Sequence, residues 1–198
     1  MVKKSKQGKL QLGVYVAAID VALGPMTVAV VGVDSNFLRK YSSMIKSKEE
    51  AKIKLMAKTI PRLSYFHIPI EEFKRMPILD LIPTKVIECL NSVKEFWNYE
   101  IKIELWQYDK LEFEKKLVKH LPINLRKVDL KIDKWQIEAD NKSKAVQLAK
   151  TFANHFNALE MQDIKNIYGD FGTGEVTDKK TREFLDQNKD CPHIRRLV

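Results

Sequence analysis

Cysteine is nearly absent from this 198-residue chain: only Cys89, inside a helical pattern, and Cys191 occur. Two isolated thiols exclude a disulfide framework and a cysteine-built zinc site, and they fit a reducing cytoplasm. A membrane-length apolar run is also missing. From Leu10 to Val33 the chain is apolar, but Asp20 interrupts the run and Gly24-Pro25 follows, which favours a buried hairpin over a membrane span. The opening stretch, Met1 to Lys9, is basic and has no small-residue cleavage pattern, so it is expected to be a flexible arm rather than a signal peptide. Internal repeats and low-complexity linkers are lacking too, and a single domain over 1–198 with a basic tail from 188 is expected.

Acidic residues are outnumbered. Thirty-five Lys plus Arg against 26 Asp plus Glu leave a formal net charge of +9. Such a surface attracts polyanions, nucleic acid first among them, although a lysine-rich coat kept for solubility produces the same sum.

Two β-rich runs, 12–20 (LGVYVAAID) and 26–34 (MTVAVVGVD), flank a turn at Val21-Ala22-Leu23-Gly24-Pro25 and predict a central antiparallel hairpin. A basic helix over 47–60 and a strand over 63–68 are expected next. Then comes a helical pattern over 78–97 whose effective start lies near Pro83, since proline is tolerated in a first turn. Alternation at Ile101, Ile103 and Leu105 predicts a strand, followed by a helix over 110–121, strand material over 128–137, and helices over 141–159 and 161–168. The glycine-rich segment 169–178 precedes a short helix near 179–187. A hairpin followed by strand–helix alternation describes a mixed α/β sheet flanked by helices.

Asp20, Asp109 and Asp140 each follow a strand pattern, where carboxylates could converge on divalent ions that stabilise the attacking and leaving oxygens of a phosphodiester. Asp109 (with Glu112) and Asp140 are equally placed to cap the helices behind them. Asp20, at the end of a very apolar strand, needs a partner. Lys46, Lys48, Lys52, Lys54 and Lys58, and Lys179, Lys180, Arg195 and Arg196, are candidates for tracking phosphates or for plain solvated faces. His67, His120, His155 and His193 have no ligand-like spacing. Trp97, Trp106 and Trp135 fit core positions better than base-stacking platforms.

The segment YGDFGTGEVTDKKTREFL (168–185) resembles the tail motif of type 2 ribonucleases H, which reads closely as YGDFGSGYPSDPKT before a helix. Ala139-Asp140, Asp109 and AAIDVALGPM (17–26) resemble, in the family's order, the segments bearing its active-site carboxylates, and HIRRLV resembles its arginine-rich end. The resemblance implies a ribonuclease H-like fold with a mixed five-stranded sheet and a two-metal site for Mg2+ or Mn2+. It also implies an RNA–DNA hybrid as partner, with contacts at Gly172, Thr173 and Gly174. Three positions depart from the pattern. Val21 stands where the family has Glu, Leu23-Gly24 replaces the Gly-Arg-Gly that contacts the sugar backbone, and Glu175 replaces the tyrosine that senses a ribose 2′-hydroxyl. The resemblance thus implies nucleic-acid binding with lost or reduced hydrolysis. A three-aspartate endonuclease and a scaffold subunit for a protein partner are the alternatives.

Overall fold

The structure, a computed structural model, describes residues 11–17, 22–93, 100–104, 115, 116, 119 and 143–191. The hairpin pairs β1 (Gln11–Ala17) antiparallel with β2 (Met26–Val33), in a register running from Gln11 opposite Val33 to Ala17 opposite Thr27. Every residue of β2 is buried, because helices cover both faces of the sheet and a central strand must then be apolar on both sides. β3 (Arg62–Ile68) adds antiparallel to the outer side of β2, and β4 (Glu100–Glu104) adds parallel to β1. The order among the described residues is β3-β2-β1-β4, a mixed sheet. The fifth strand expected over 128–137 lies outside the described residues, as do most of the helix expected over 110–121 and the three tryptophans; residues 115, 116 and 119 are helical.

Alternation sorts the strands into two cores. Leu12, Val14, Val16, Met26, Val28 and Val30 face one helix, α4 (Ile78–Asn91), through its Leu81, Ile82, Val86, Cys89 and Leu90. On the opposite face Tyr15, Ala17, Ala29, Val31 and Val33 meet α1 (Ser35–Lys40), α2 (Glu50–Thr59) and the 25-residue α5 (Lys144–Tyr168). Gly13 lets α5 lie close to the sheet: a Cβ there would stand 2.4 Å from the backbone carbonyl of Ala145. α3 (Ile70–Arg75) bridges β3 and α4, and α6 (Lys179–Gln187) closes the described chain. The Cys89 thiol, a free cysteine, is pushed up to about 12 by burial. Among the described residues no helix is long and apolar enough to cross a membrane.

Several element boundaries differ from expectation. The helix expected to begin near Pro83 begins at Ile78 behind Pro77, and Pro83 sits inside it. Its apolar positions 81, 82, 86 and 90 outweigh one backbone donor absent at the proline. The helices expected over 141–159 and 161–168 are one helix. It is capped by Ser143, whose Oγ accepts the Val146 N–H at 3.4 Å, and not directly by Asp140. α1 and α3 have six residues each, too few for a periodicity to emerge. α1 is instead marked by Asp34, whose Oδ1 accepts the Phe37 N–H at 2.8 Å.

Candidate functional site

Parallel pairing puts the C-terminal ends of β1 and β4 side by side, with Tyr15 opposite Glu104. The segments carrying Asp20 and Asp109 leave from that one sheet edge. Asp20, Val21, Asp109 and Asp140 themselves lie outside the described residues, as do Arg195 and Arg196. What the structure defines is the frame around them. Among the described residues there is no group of three His, Cys, Asp or Glu arranged to hold a metal ion.

The principal feature of the frame is a joint between the β1–β2 turn and the glycine-rich loop, which are far apart in sequence. The N–H groups of Ala22 and Leu23 both donate to the Gly174 carbonyl, at 2.8 and 3.2 Å. Beneath this joint Leu23, Met161, Ile164 and Phe171 form a small separate core, against which Tyr168, Phe184 and Leu185 pack. Gly24 reaches it with φ +83°, and a side chain there would run into the Met161 sulfur.

The loop is built from backbone turns that only glycine accepts readily. Gly169 ends α5 at φ +81°, and Gly172 and Gly174 follow at +85° and +84°. Its four consecutive amides are all engaged. Gly172 N–H donates to Asp170 Oδ1 (3.1 Å), Thr173 N–H to Asp178 Oδ2 (3.1 Å), Gly174 N–H to Thr181 Oγ1 (3.0 Å) and Glu175 N–H to Thr173 Oγ1 (3.2 Å). Asp178 also caps α6 by accepting the Thr181 N–H at 3.2 Å. The Thr173, Thr181 and Lys180 amides and the Thr181 hydroxyl hold its carboxyl below the usual carboxylate range, the Thr173 amide most strongly. Lys180, hydrogen-bonded to Asp170 at 2.5 Å, together with the Gly172 N–H and Lys165, draws the Asp170 carboxyl down to about 2.

Of the residues singled out in the sequence, Gly172, Thr173, Gly174, Glu175, Lys179 and Lys180 come together here. Glu175 is exposed, Lys180 is paired with Asp170, and Lys179 stands 3.7 Å from Glu183. Lys46 and Lys48 are exposed beside the N-terminal half of α5, where Thr151 Oγ1 donates to the Ile45 carbonyl. From Thr151 to Tyr168 the helix runs about 25 Å, roughly seven nucleotide steps of one strand. Lys52 and Lys54 pair with Glu49 and Glu50 on α2.

Two polar clusters went unseen in the sequence. Thr181, fully buried, is the hub of the loop; its signal was present, three residues after a capping Asp. The second joins β2, β3 and α5 at the same sheet edge. Thr27 Oγ1 lies 2.8 Å from His67 Nδ1 and 3.1 Å from Asn157 Oδ1, and His67 Nε2 is 3.9 Å from Glu160. Nothing local in the sequence links residues so far apart.

No family model matches the chain. Over 211 aligned residues it is 28% identical to ribonuclease HII of Methanococcus vannielii, covering 95% of this chain and 82% of that protein. Among solved structures, ribonuclease H2 from Pyrococcus horikoshii OT3 superposes with a TM-score of 0.74 at 20% identity, covering 96% of this chain and 93% of that one. Bst-RNase HIII in complex with Mn2+ superposes with a TM-score of 0.65 at 15% identity, covering 97% of this chain and 68% of that one. The fold is the ribonuclease H fold. Within it the likeness along the chain is to the type 2 ribonucleases H, as the motifs imply.

Proposed function

We propose that this chain is a ribonuclease HII-like protein that binds RNA–DNA hybrid or structured nucleic acid and hydrolyses it weakly or not at all. The observation that carries the reading is the joint of Ala22 and Leu23 to Gly174. A framework that ties the turn behind Asp20 to the tail motif is kept, while the position next to Asp20 holds Val21. Asp20, Asp109 and Asp140, if brought together, would supply hard carboxylate oxygens, which suit Mg2+ or Mn2+. Bound there, such an ion would polarise the phosphoryl oxygen and activate water. Removing one carboxylate from a four-carboxylate site weakens metal affinity and misplaces an ion, and with the family's tyrosine and arginine also replaced, ribonucleotide selectivity falls. The basic surface, +9 overall, supplies the long-range attraction for the polyanion.

The deciding experiment is hydrolysis of a labelled RNA–DNA hybrid with Mg2+ or Mn2+, beside binding of the same hybrid measured against salt. Salt-sensitive binding with little or no cleavage is expected. Robust cleavage abolished by Asp20→Asn or Asp140→Asn would overturn reduced hydrolysis and establish a three-aspartate endonuclease instead. Weak, salt-insensitive binding together with a stable protein partner would favour the scaffold role.

A further inference from the structure

We propose that Thr181 is a positioning residue that holds the turn behind Asp20 in place from the far end of the chain; the functional half of this inference rests on the reading above. The Thr181 side chain is fully buried, and its single hydroxyl makes three contacts. It accepts the Gly174 N–H at 3.0 Å, and its one proton lies between the Phe171 carbonyl and Asp178 Oδ2, each 2.9 Å away. Gly174 is thereby fixed on its amide side, in a left-handed conformation at φ +84°, while its carbonyl takes both the Ala22 and Leu23 N–H groups. Thr181 thus acts through one peptide unit on a segment whose Ala22 is two residues behind Asp20.

The energetic logic follows from burial. A buried amide deprived of its acceptor costs about 1–3 kcal/mol. Without the Thr181 hydroxyl the Gly174 N–H has that penalty to relieve, and the loop can relieve it by turning the peptide, which carries the carbonyl away from Ala22 and Leu23. Among the described residues the two clusters of the main sheet include none of Leu23, Phe171, Gly174 or Thr181, so the loss is expected to stay local. Outer contacts that orient metal ligands commonly alter metal affinity by about 10- to 100-fold, and an effect of Thr181 on Asp20 would pass through the Ala22–Leu23 turn that follows it in sequence.

The test compares the wild-type chain with Thr181→Val, which keeps the shape and removes the hydroxyl, and Thr181→Ser, which keeps the hydroxyl. Amide exchange followed by NMR should show the Ala22 and Leu23 N–H groups protected in the wild type and in Thr181→Ser, and exposed in Thr181→Val with β2 still protected. Mn2+ titration should weaken about 10- to 100-fold in Thr181→Val and recover in Thr181→Ser. Unprotected Ala22 and Leu23 amides in the wild type would overturn the proposal without any variant. So would unchanged exchange in Thr181→Val, or lost protection with unchanged Mn2+ affinity. A wild-type chain that neither binds Mn2+ nor binds or cleaves hybrid would end the functional reading and the metal-positioning role with it, while the exchange arm still decides whether Thr181 holds the turn.

Discussion

The helix-covered sheet and the glycine-rich loop are secured by opposite means. In the sheet, β2 buries all eight residues and both cores are almost wholly hydrocarbon. In the loop, from 169 to 178, only Phe171 and Gly174 are buried, and the shape is held by side-chain acceptors placed on successive amides. Apolar burial tolerates neither holes nor added volume but is indifferent to pH. Hydrogen-bonded turns tolerate neither a Cβ at a left-handed residue nor the loss of one acceptor, and they respond to protonation. A site that must hold charged groups at fixed positions is better framed by the second kind of structure.

The largest effect should come from the sheet. Phe152→Ala, at a fully buried position beneath β1 and β2, is expected to cost about 3–5 kcal/mol in urea unfolding. A loss below about 1 kcal/mol would break the contrast, since the core would then be no better packed than the loop. Gly172→Ala comes next. A Cβ there would stand 1.8 Å from Asp178 Oδ2 at φ +85°, and strain of this kind costs about 1–3 kcal/mol. The Thr173 and Gly174 amides should then exchange faster while β2 stays protected; a uniform rise in exchange would show that loop and sheet open as one unit.

Acid should separate the two regions further. Burial pushes the His67 imidazole below its ordinary value, the nearby Glu160 opposing, so the folded sheet edge favours neutral histidine. Stability linked to His67 is therefore complete above about pH 6.5 and declines as pH falls below that, until the folded form also takes up the proton. Urea midpoints should fall on this limb, and His67→Phe should flatten it. The loop behaves differently because its Asp170 carboxyl is drawn down to about 2 by Lys180, the Gly172 amide and Lys165. Its contribution is present above about pH 4 and lost as pH falls toward 2, and Asp170→Asn should remove that share of the limb and leave the share of Asp178, whose carboxyl is also held low. Loop amides that lose protection near pH 6 would contradict the assignment. The smallest effect is expected at the exposed Lys52–Glu49 pair, where Lys52→Ala should change stability by no more than about 0.5 kcal/mol.

Much of the frame was legible from local pattern. The β1–β2 hairpin, β3, β4 and α6 fall within a few residues of where alternation and turn chemistry put them, and the tail motif is where the separate loop core and its turns are found. Legibility failed where the deciding interaction was short or distant. Pro83 marks a helix start by rule, yet the buried stripe of Ile82, Val86 and Leu90 carries the helix through it. Asp140 is the cap expected from the sequence, whereas the helix starts at Lys144 behind Ser143, whose Oγ accepts the Val146 N–H. Thr27 looks like any strand threonine until His67 and Asn157 close on it from β3 and α5. The three aspartates are expected from strand ends and motif order and lie outside the described residues, whereas the only sequence signal of Thr181, which carries the loop, is its place three residues after a capping Asp.

The packing of α5 on the hairpin also has a consequence in time. β2 ends at Val33 and α5 begins at Lys144, whereas α4, which covers the opposite face, is complete by Asn91. During synthesis at about 5–20 residues per second, the valine-rich hairpin leaves the ribosome with this side covered only in part, by α1 and α2, for roughly 5–20 s before α5, which completes the cover, has begun to emerge. The α4 side can be closed in the meantime, and the joint at Gly174, later still, is among the last contacts available. This chain is therefore vulnerable to self-association as a nascent hairpin, on a face that is fully hidden in the finished molecule.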